Sequence, residues 1–171
     1  NIAFLRNMTQ VFQKQHLKVE RIRVRRGYLD LQVSCSLNVL HVTEEQAARV
    51  LDLLPNLENH VCVNGAGETL GDELIGTELP HLLEHIVIEL QGKACARPSR
   101  FTGHTSWLDE LANTASDGYA LMRTTVGFSN DFVALQAVQD ACGIIEWMID
   151  PEGWSVPDID SIVAGLVPQA Q

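Results

Sequence analysis

The chain has 171 residues, a net charge of −10 and an apolar share of 46%, enough for one domain that buries about two-thirds of its extended surface on folding. Its acidity repels a phosphate backbone and disfavours nonspecific nucleic-acid binding. No apolar run reaches the roughly eighteen residues of a membrane span.

The four cysteines, Cys35, Cys62, Cys95 and Cys142, form no C-x-x-C pair. A zinc knuckle or a thioredoxin-like redox site is therefore not expected, and the cysteines read as reduced thiols of a cytoplasmic protein. The first residues, Asn1-Ile2-Ala3-Phe4-Leu5-Arg6, lack the apolar core of a signal peptide. They also lack an initiator methionine, as in a trimmed or processed chain. Charge is spread unevenly. Lys18, Arg21, Arg23, Arg25 and Arg26 form a basic ribbon, whereas beyond residue 100 only Arg123 is basic against ten acidic residues.

In chain order, residues 4–13 fit a short helix with Phe4, Met8, Val11 and Phe12 inward. Residues 18–24 and 28–34 read as a hairpin about Arg26-Gly27. Arg21, Arg23 and Arg25 share one face of its first strand, and Leu29, Leu31 and Val33 share one face of its second. Thr43 caps the next helix, Gln46 completes a capping box, and Pro55 stops it. Residues 56–76 suggest a short strand and a glycine-rich loop. Thr77 is the expected cap of a largely buried helix from about Glu78, with Pro80 in its first turn and Gly92 at its end. Residues 93–116 read as loop, with a helical turn at 107–112. A strand follows over 119–126, with Tyr119 and Leu121 on its apolar side. A helix capped by Asn130 then runs to Met148 with Phe132, Leu135, Val138, Ile145 and Met148 inward, and a last short helix covers 161–166. The order implies an α+β fold, a two-layer sandwich of a mixed β-sheet and a layer of helices, in a single domain over 1–171.

The chemistry concentrates in His81-Leu82-Leu83-Glu84-His85. At helical spacing His81 and His85 stack on one face and can turn two imidazoles to one ion, with Glu84 at the edge of that face. This is the H-x-x-E-H order of inverted zinc peptidases. A catalytic zinc takes three protein ligands and leaves a position open for water, whose proton Glu84 would accept. His60, Cys62, His104 or Glu146 must bring the third ligand from elsewhere. His60 is preferred, because the glycines after it allow close backbone approach. Glu89 reads as a carboxylate that orients a ligand histidine. His104, beside Gly103, is a candidate ligand or donor to the transition state. The competing reading is a hydrogen-bonded core network without metal. A Cys62 nucleophile lacks an orienting acid, and Gly65-x-Gly67 lacks the lysine of a phosphate loop. Trp107, Trp147 and Trp154 read as packing residues, and His16 and His41 as ordinary surface or loop histidines.

Three segments carry a family resemblance: 54–62, Leu-Pro-Asn-Leu-Glu-Asn-His-Val-Cys; Gly76-Thr77; and 81–91, His-Leu-Leu-Glu-His-Ile-Val-Ile-Glu-Leu-Gln. Over about residues 20–145 the chain resembles the N-terminal domain of cyanophycin synthetase, without its ATP-grasp and ligase domains. In some members that domain resembles a metallopeptidase that cuts an arginine–aspartate polymer, and in others it is structural or binds polymer. The resemblance implies zinc on His81 and His85 with Glu84 as base. Two places depart from the family pattern: Arg123 replaces a strand glutamate, and residues 95–100 replace an arginine-rich glycine loop. The expected function is a zinc-dependent hydrolase acting on a peptide or isopeptide bond. Arg21, Arg23, Arg25 and Arg123 are candidate contacts for a carboxylate-rich substrate. The alternative is a noncatalytic polymer- or protein-binding domain with a degenerate site. No nucleic-acid or membrane partner is expected, and a homo-oligomer is compatible with the sequence.

Overall fold

The computed structural model describes residues 15–62, 67–95, 101–108 and 118–167. The helix expected over 4–13 lies outside them, as does most of the turn expected over 107–112. The elements are β1 (Leu17–Arg25), β2 (Tyr28–Ser36), α1 (Glu44–Leu53), the short α2 (Leu70–Glu73), α3 (Leu79–Ala94), β3 (Gly103–Trp107), β4 (Tyr119–Gly127), α4 (Asp131–Ile149) and α5 (Ile159–Leu166), with single 3₁₀ turns at Leu37–Val39 and Pro55–Asn59. This is an α+β fold. The strand order is β1-β2-β4-β3, and every described pairing is antiparallel, so the sheet is not mixed. Residues 101–108, expected as loop, contain the edge strand that sequence periodicity did not reveal. Five residues are too few to show alternation.

Each element has a local cause. Gly27 turns the β1–β2 hairpin at φ +83°, a conformation that L side chains rarely adopt. Thr43 and Gln46 form the expected reciprocal cap of α1, at 3.2 and 3.0 Å. Pro55 then diverts the chain into a 3₁₀ turn. Asn130 Oδ1 accepts from Val133 N at 3.2 Å to start α4, and Asp158 does the same for Ser161 N at 3.1 Å in α5. The cap of α3 is Glu78 rather than Thr77, and the helix runs through Gly92 to Ala94. Thr77 instead turns its hydroxyl to His81.

The helices cover one face of the sheet. That face carries Leu29, Leu31, Val33 and Cys35 from β2 and Ala120, Met122, Thr124 and Val126 from β4, all buried. The orientation of β4 is thus the reverse of the expected one: Tyr119 is exposed and Leu121 half-buried. Thr124 explains the choice, since its hydroxyl lies within reach of Thr105 Oγ1 (3.1 Å) and Pro80 O (3.4 Å) on the inner face. Leu79, Leu82, Leu83, Ile86, Val87 and Leu90 of α3 are wholly buried between sheet and α4. In α4, Val138, Ile145 and Met148 face the core as expected, but Phe132 in the first turn is 78% exposed. By length and composition α4 could cross a membrane. Here its buried stripe packs on α3 and the sheet, as in a core helix. The four cysteines are free.

Since α3 fills the centre of the core, Leu83→Ala is expected to destabilise the domain by about 3 kcal/mol. Urea unfolding by circular dichroism measures this, with the slope unchanged if only stability has moved.

Candidate metal centre

Two loops and one helix bring the polar groups together. The chain after α1 turns back at 60–62, where His60 O accepts from Leu70 N (2.8 Å) and Cys62 N donates to Glu68 O (3.1 Å). Gly71 permits this approach, because a Cβ there would stand 2.9 Å from Glu58 O. Cys62 is thereby delivered against the first turns of α3. Its Sγ lies 3.4 Å from His81 Nε2, and His81 Nε2 lies 3.2 Å from His85 Nε2. All three potential ligand atoms fall within 4.8 Å of one another. Tetrahedral zinc with ordinary bond lengths would set two nitrogens about 3.3 Å apart and sulfur about 3.6 Å from nitrogen. The donor set fits a metal ion.

His60, the preferred third ligand, stands elsewhere. Its Nε2 meets Glu89 Oε2 at 2.9 Å, and its Nδ1 meets His85 Nδ1 at 3.3 Å. Asn56 Nδ2 also donates to Glu89 at 2.9 Å, and Lys93 Nζ lies 3.4 Å from the other oxygen. The result is a chain of Glu89, His60 and His85. With Glu89 ionised, His60 donates its Nε2–H. In the neutral ring Nδ1 then accepts from His85 Nδ1–H, leaving the His85 Nε2 lone pair turned toward His81 and Cys62. The group that could hold an ion is Cys62, His81 and His85, and His60 stands behind His85 rather than within it. The backbone brings Cys62, two residues on, into the third place, because the 61–69 bridge turns it inward. Glu146 is committed to the far side of the core, where it accepts from His16 N (2.7 Å) and Leu17 N (2.8 Å) and pairs with His16 Nδ1.

Glu84 is 4% exposed, and its Oε2 accepts from Thr105 Oγ1 at 2.6 Å. Gly103 is required above it, since a Cβ there would lie 2.5 Å from Glu84 Oε1. Thr105 and Gly103 were not among the expected site residues. They come from the unrecognised strand, and the Gly-x-Thr spacing on one strand face was the signal available. Glu73, equally unforeseen, accepts from Gly67 N (3.0 Å) and from Cys62 Sγ (3.6 Å).

Burial sets the electrostatics. It lowers the pKa of His81, and that of His85 to about 3, aided by the neighbouring histidines, so both rings are neutral and available as ligands. Burial pushes Glu84 up to about 7 against the Thr105 hydrogen bond. Burial would also raise Glu89, but hydrogen bonds from His60 and Asn56 outweigh it and hold Glu89 at about 2. Burial and the Glu73 carboxylate push the Cys62 thiol up to about 12. Cys62 is therefore a thiol rather than a thiolate in the metal-free protein.

A cleft of about 1090 Å³ opens on these groups, bordered by His60, Cys62, His81, Glu84, His85 and the whole of β3. His104 borders it too, together with a second groove of about 520 Å³ on the outer face of the sheet. Arg123 lines that outer groove, held bidentately by Asp30 at 2.8 and 3.0 Å. Arg21, Arg23 and Arg25 pair in register with Gln32, Asp30 and Tyr28. β1 is three strand spacings from β3, about 14 Å. The arginines expected to meet substrate thus do not converge on the cleft.

Comparison across protein families matches residues 29–150 to the cyanophycin synthase-like N-terminal domain. The chain belongs to this family. No curated protein matches the chain. The matched span holds the complete Cys62, His81 and His85 group, Glu84, and the Glu89–His60 chain behind it, so this member of the cyanophycin synthase-like N-terminal domain family carries its polar centre inside the matched region.

Two outcomes follow for this family member. Replacing Cys62 by Ser should weaken metal binding more than His60→Ala does, the latter costing about 10- to 100-fold as a change behind a candidate ligand. Competitive chelator titration measures both. Glu84 is neutral in the folded metal-free protein up to about pH 7, whereas its ordinary value is 4.5. Its contribution is intact below pH 4.5 and is lost as pH rises through 7. Glu84→Gln should therefore stabilise the metal-free domain at pH 8 by up to about 3 kcal/mol, with the gain vanishing toward pH 4.5. Urea midpoints across that range test it.

Proposed function

We propose that the chain is a metal-dependent hydrolase of peptide or isopeptide bonds, with Cys62, His81 and His85 holding one divalent ion, zinc by its sulfur and nitrogen donors. The observation that carries this reading is the placement of Glu84. A buried carboxylate with a pKa near 7 borders the same cleft as three converging ligand atoms. A bound ion there would supply Lewis acidity, polarising a carbonyl and making a water more acidic.

The residues of the chain divide the remaining work. Glu84 accepts a proton from the attacking water and is suited to this near neutral pH, where carboxylate and acid interconvert readily. It can then return that proton to the departing amine. Thr105 holds the carboxylate in one orientation with its hydroxyl hydrogen. Glu89 and His60 fix the ring of His85, keeping its Nε2 lone pair directed into the centre. Thr77 Oγ1, 3.5 Å from His81 Nδ1, does the same for the second ring. His104, bordering the cleft, is the proposed hydrogen-bond donor to the charge developing on the carbonyl oxygen. A cytoplasmic setting suits the free thiol at Cys62.

A noncatalytic binding role has one observation in its favour: every nitrogen of His60, His81 and His85 already has a polar partner within 3.5 Å. Activity separates the two. Hydrolysis of a mixed-peptide substrate pool, followed by mass spectrometry, should cease with chelator and return with zinc. Glu84→Gln should lower the rate at least about 100-fold with metal content unchanged. Zinc-loaded protein that cleaves nothing, or full activity in the Glu84→Gln variant, would overturn the proposal.

A further inference from the structure

The sheet has two outer strands, and they are built differently. The β1 edge carries Arg21, Arg23 and Arg25 and a register irregularity between Val19 and Arg21, devices that discourage pairing with another chain. β3, Gly103-His104-Thr105-Ser106-Trp107, has no lysine, arginine or proline and keeps continuous register with β4. The only described strand edge without such protection is therefore the one beside the cleft.

Its hydrogen-bond phase can be read from its ends. Thr102 O accepts from Gly127 N at 2.7 Å, and Leu108 N donates to Leu121 O at 3.2 Å. In an antiparallel ladder the bonded pairs alternate, so His104 and Ser106 turn their backbone groups to β4. Gly103, Thr105 and Trp107 turn theirs away from the sheet. Among the described residues no backbone group outside β4 is bonded to these three positions. Every residue from Phe101 to Trp107 borders the cleft, on both faces of the strand. The cleft thus runs along the edge. Gly103 brings this edge against the Glu84 carboxylate. Val61, 77% exposed, lies on the opposite wall, and Trp107 stands at the far end of the strand.

We infer that the free edge of β3 docks the substrate as a fifth strand: an extended α-linked peptide bonds its main chain to Gly103, Thr105 and Trp107, which sets its scissile amide beside Glu84 and the Cys62–His81–His85 group. This deepens the hydrolase reading and rests on it. Recognition is through the main chain, repeated every two residues, about 6.8 Å. Alternate side chains face Val61 and solvent, so an apolar residue is favoured at one position and sequence matters little elsewhere.

The probes are acetohydroxamate and acetyl-tetraalanine hydroxamate, titrated calorimetrically into zinc-loaded protein. The peptide hydroxamate should bind at least about tenfold more tightly than acetohydroxamate. N-methylating one alternating pair of its amides should abolish that gain, while methylating the other pair should preserve it. Equal binding of the two hydroxamates, or indifference to which pair is methylated, overturns the inference. Should acetohydroxamate itself fail to bind, the metal reading falls, and the edge is judged by exchange alone. Acetyl-tetraalanine amide at millimolar concentration should slow hydrogen exchange at Gly103, Thr105 and Trp107 but leave His104 and Ser106 unchanged. Unchanged exchange at all five sites overturns it.

Discussion

Everything in this domain depends on the burial of α3 between the sheet and α4. Six of its large aliphatic side chains are fully enclosed, a burial worth roughly 1.5–3 kcal/mol for each. The same helix carries His81, Glu84, His85 and Glu89 into low-dielectric surroundings, where an unpaired polar group is costly. Each must find a partner, and the partners come from the two segments that flank the helix: residues 56–62 on one side and β3 on the other. The polar centre is the arrangement that lets a helix with chemistry on one side serve as the core of the fold.

Two carboxylates on this helix, five residues apart, show how environment divides labour. Glu84 is buried with one hydroxyl for a partner, and its proton affinity rises. Glu89 meets an imidazole, an amide and an ammonium, and its affinity falls. One becomes able to exchange a proton near neutrality, and the other remains a fixed negative charge. Such opposed shifts in neighbouring carboxyl groups separate proton-transfer roles from orienting ones. His81 and His85 on the same helix remain neutral because burial opposes their charging.

What could be read from the sequence were the features set by local rules. The α1 capping box, the glycine turn at Gly27, the α3 and α4 helices and the pairing of His81 with His85 on one face all follow from spacing and short-range hydrogen bonding. The family resemblance was legible in the segments around His60 and His81. What remained hidden depended on contacts distant in sequence. Whether His60 or Cys62 joins the paired Nε2 atoms of His81 and His85 is decided by the 61–69 bridge, which has no signature in residue types. The facing of β4 turns on Thr124, whose buried hydroxyl finds its partners, Thr105 and Pro80 O, only on the inner side of the folded sheet. A β3 of five residues has no periodicity to find. The arginine ribbon was legible as a strand face, but its distance from the cleft is a property of strand order.

The contact between Gly103 and Glu84 ties two quantities that are usually separate. The carboxylate holds its proton strongly because β3 lies against it and excludes water. Among the described residues β3 is paired with one strand, β4, and rests against α3. Drawing that strand outward would hydrate Glu84, return it toward ordinary carboxyl acidity and widen the cleft. Width of the entrance and proton affinity of the floor are therefore one mechanical coordinate.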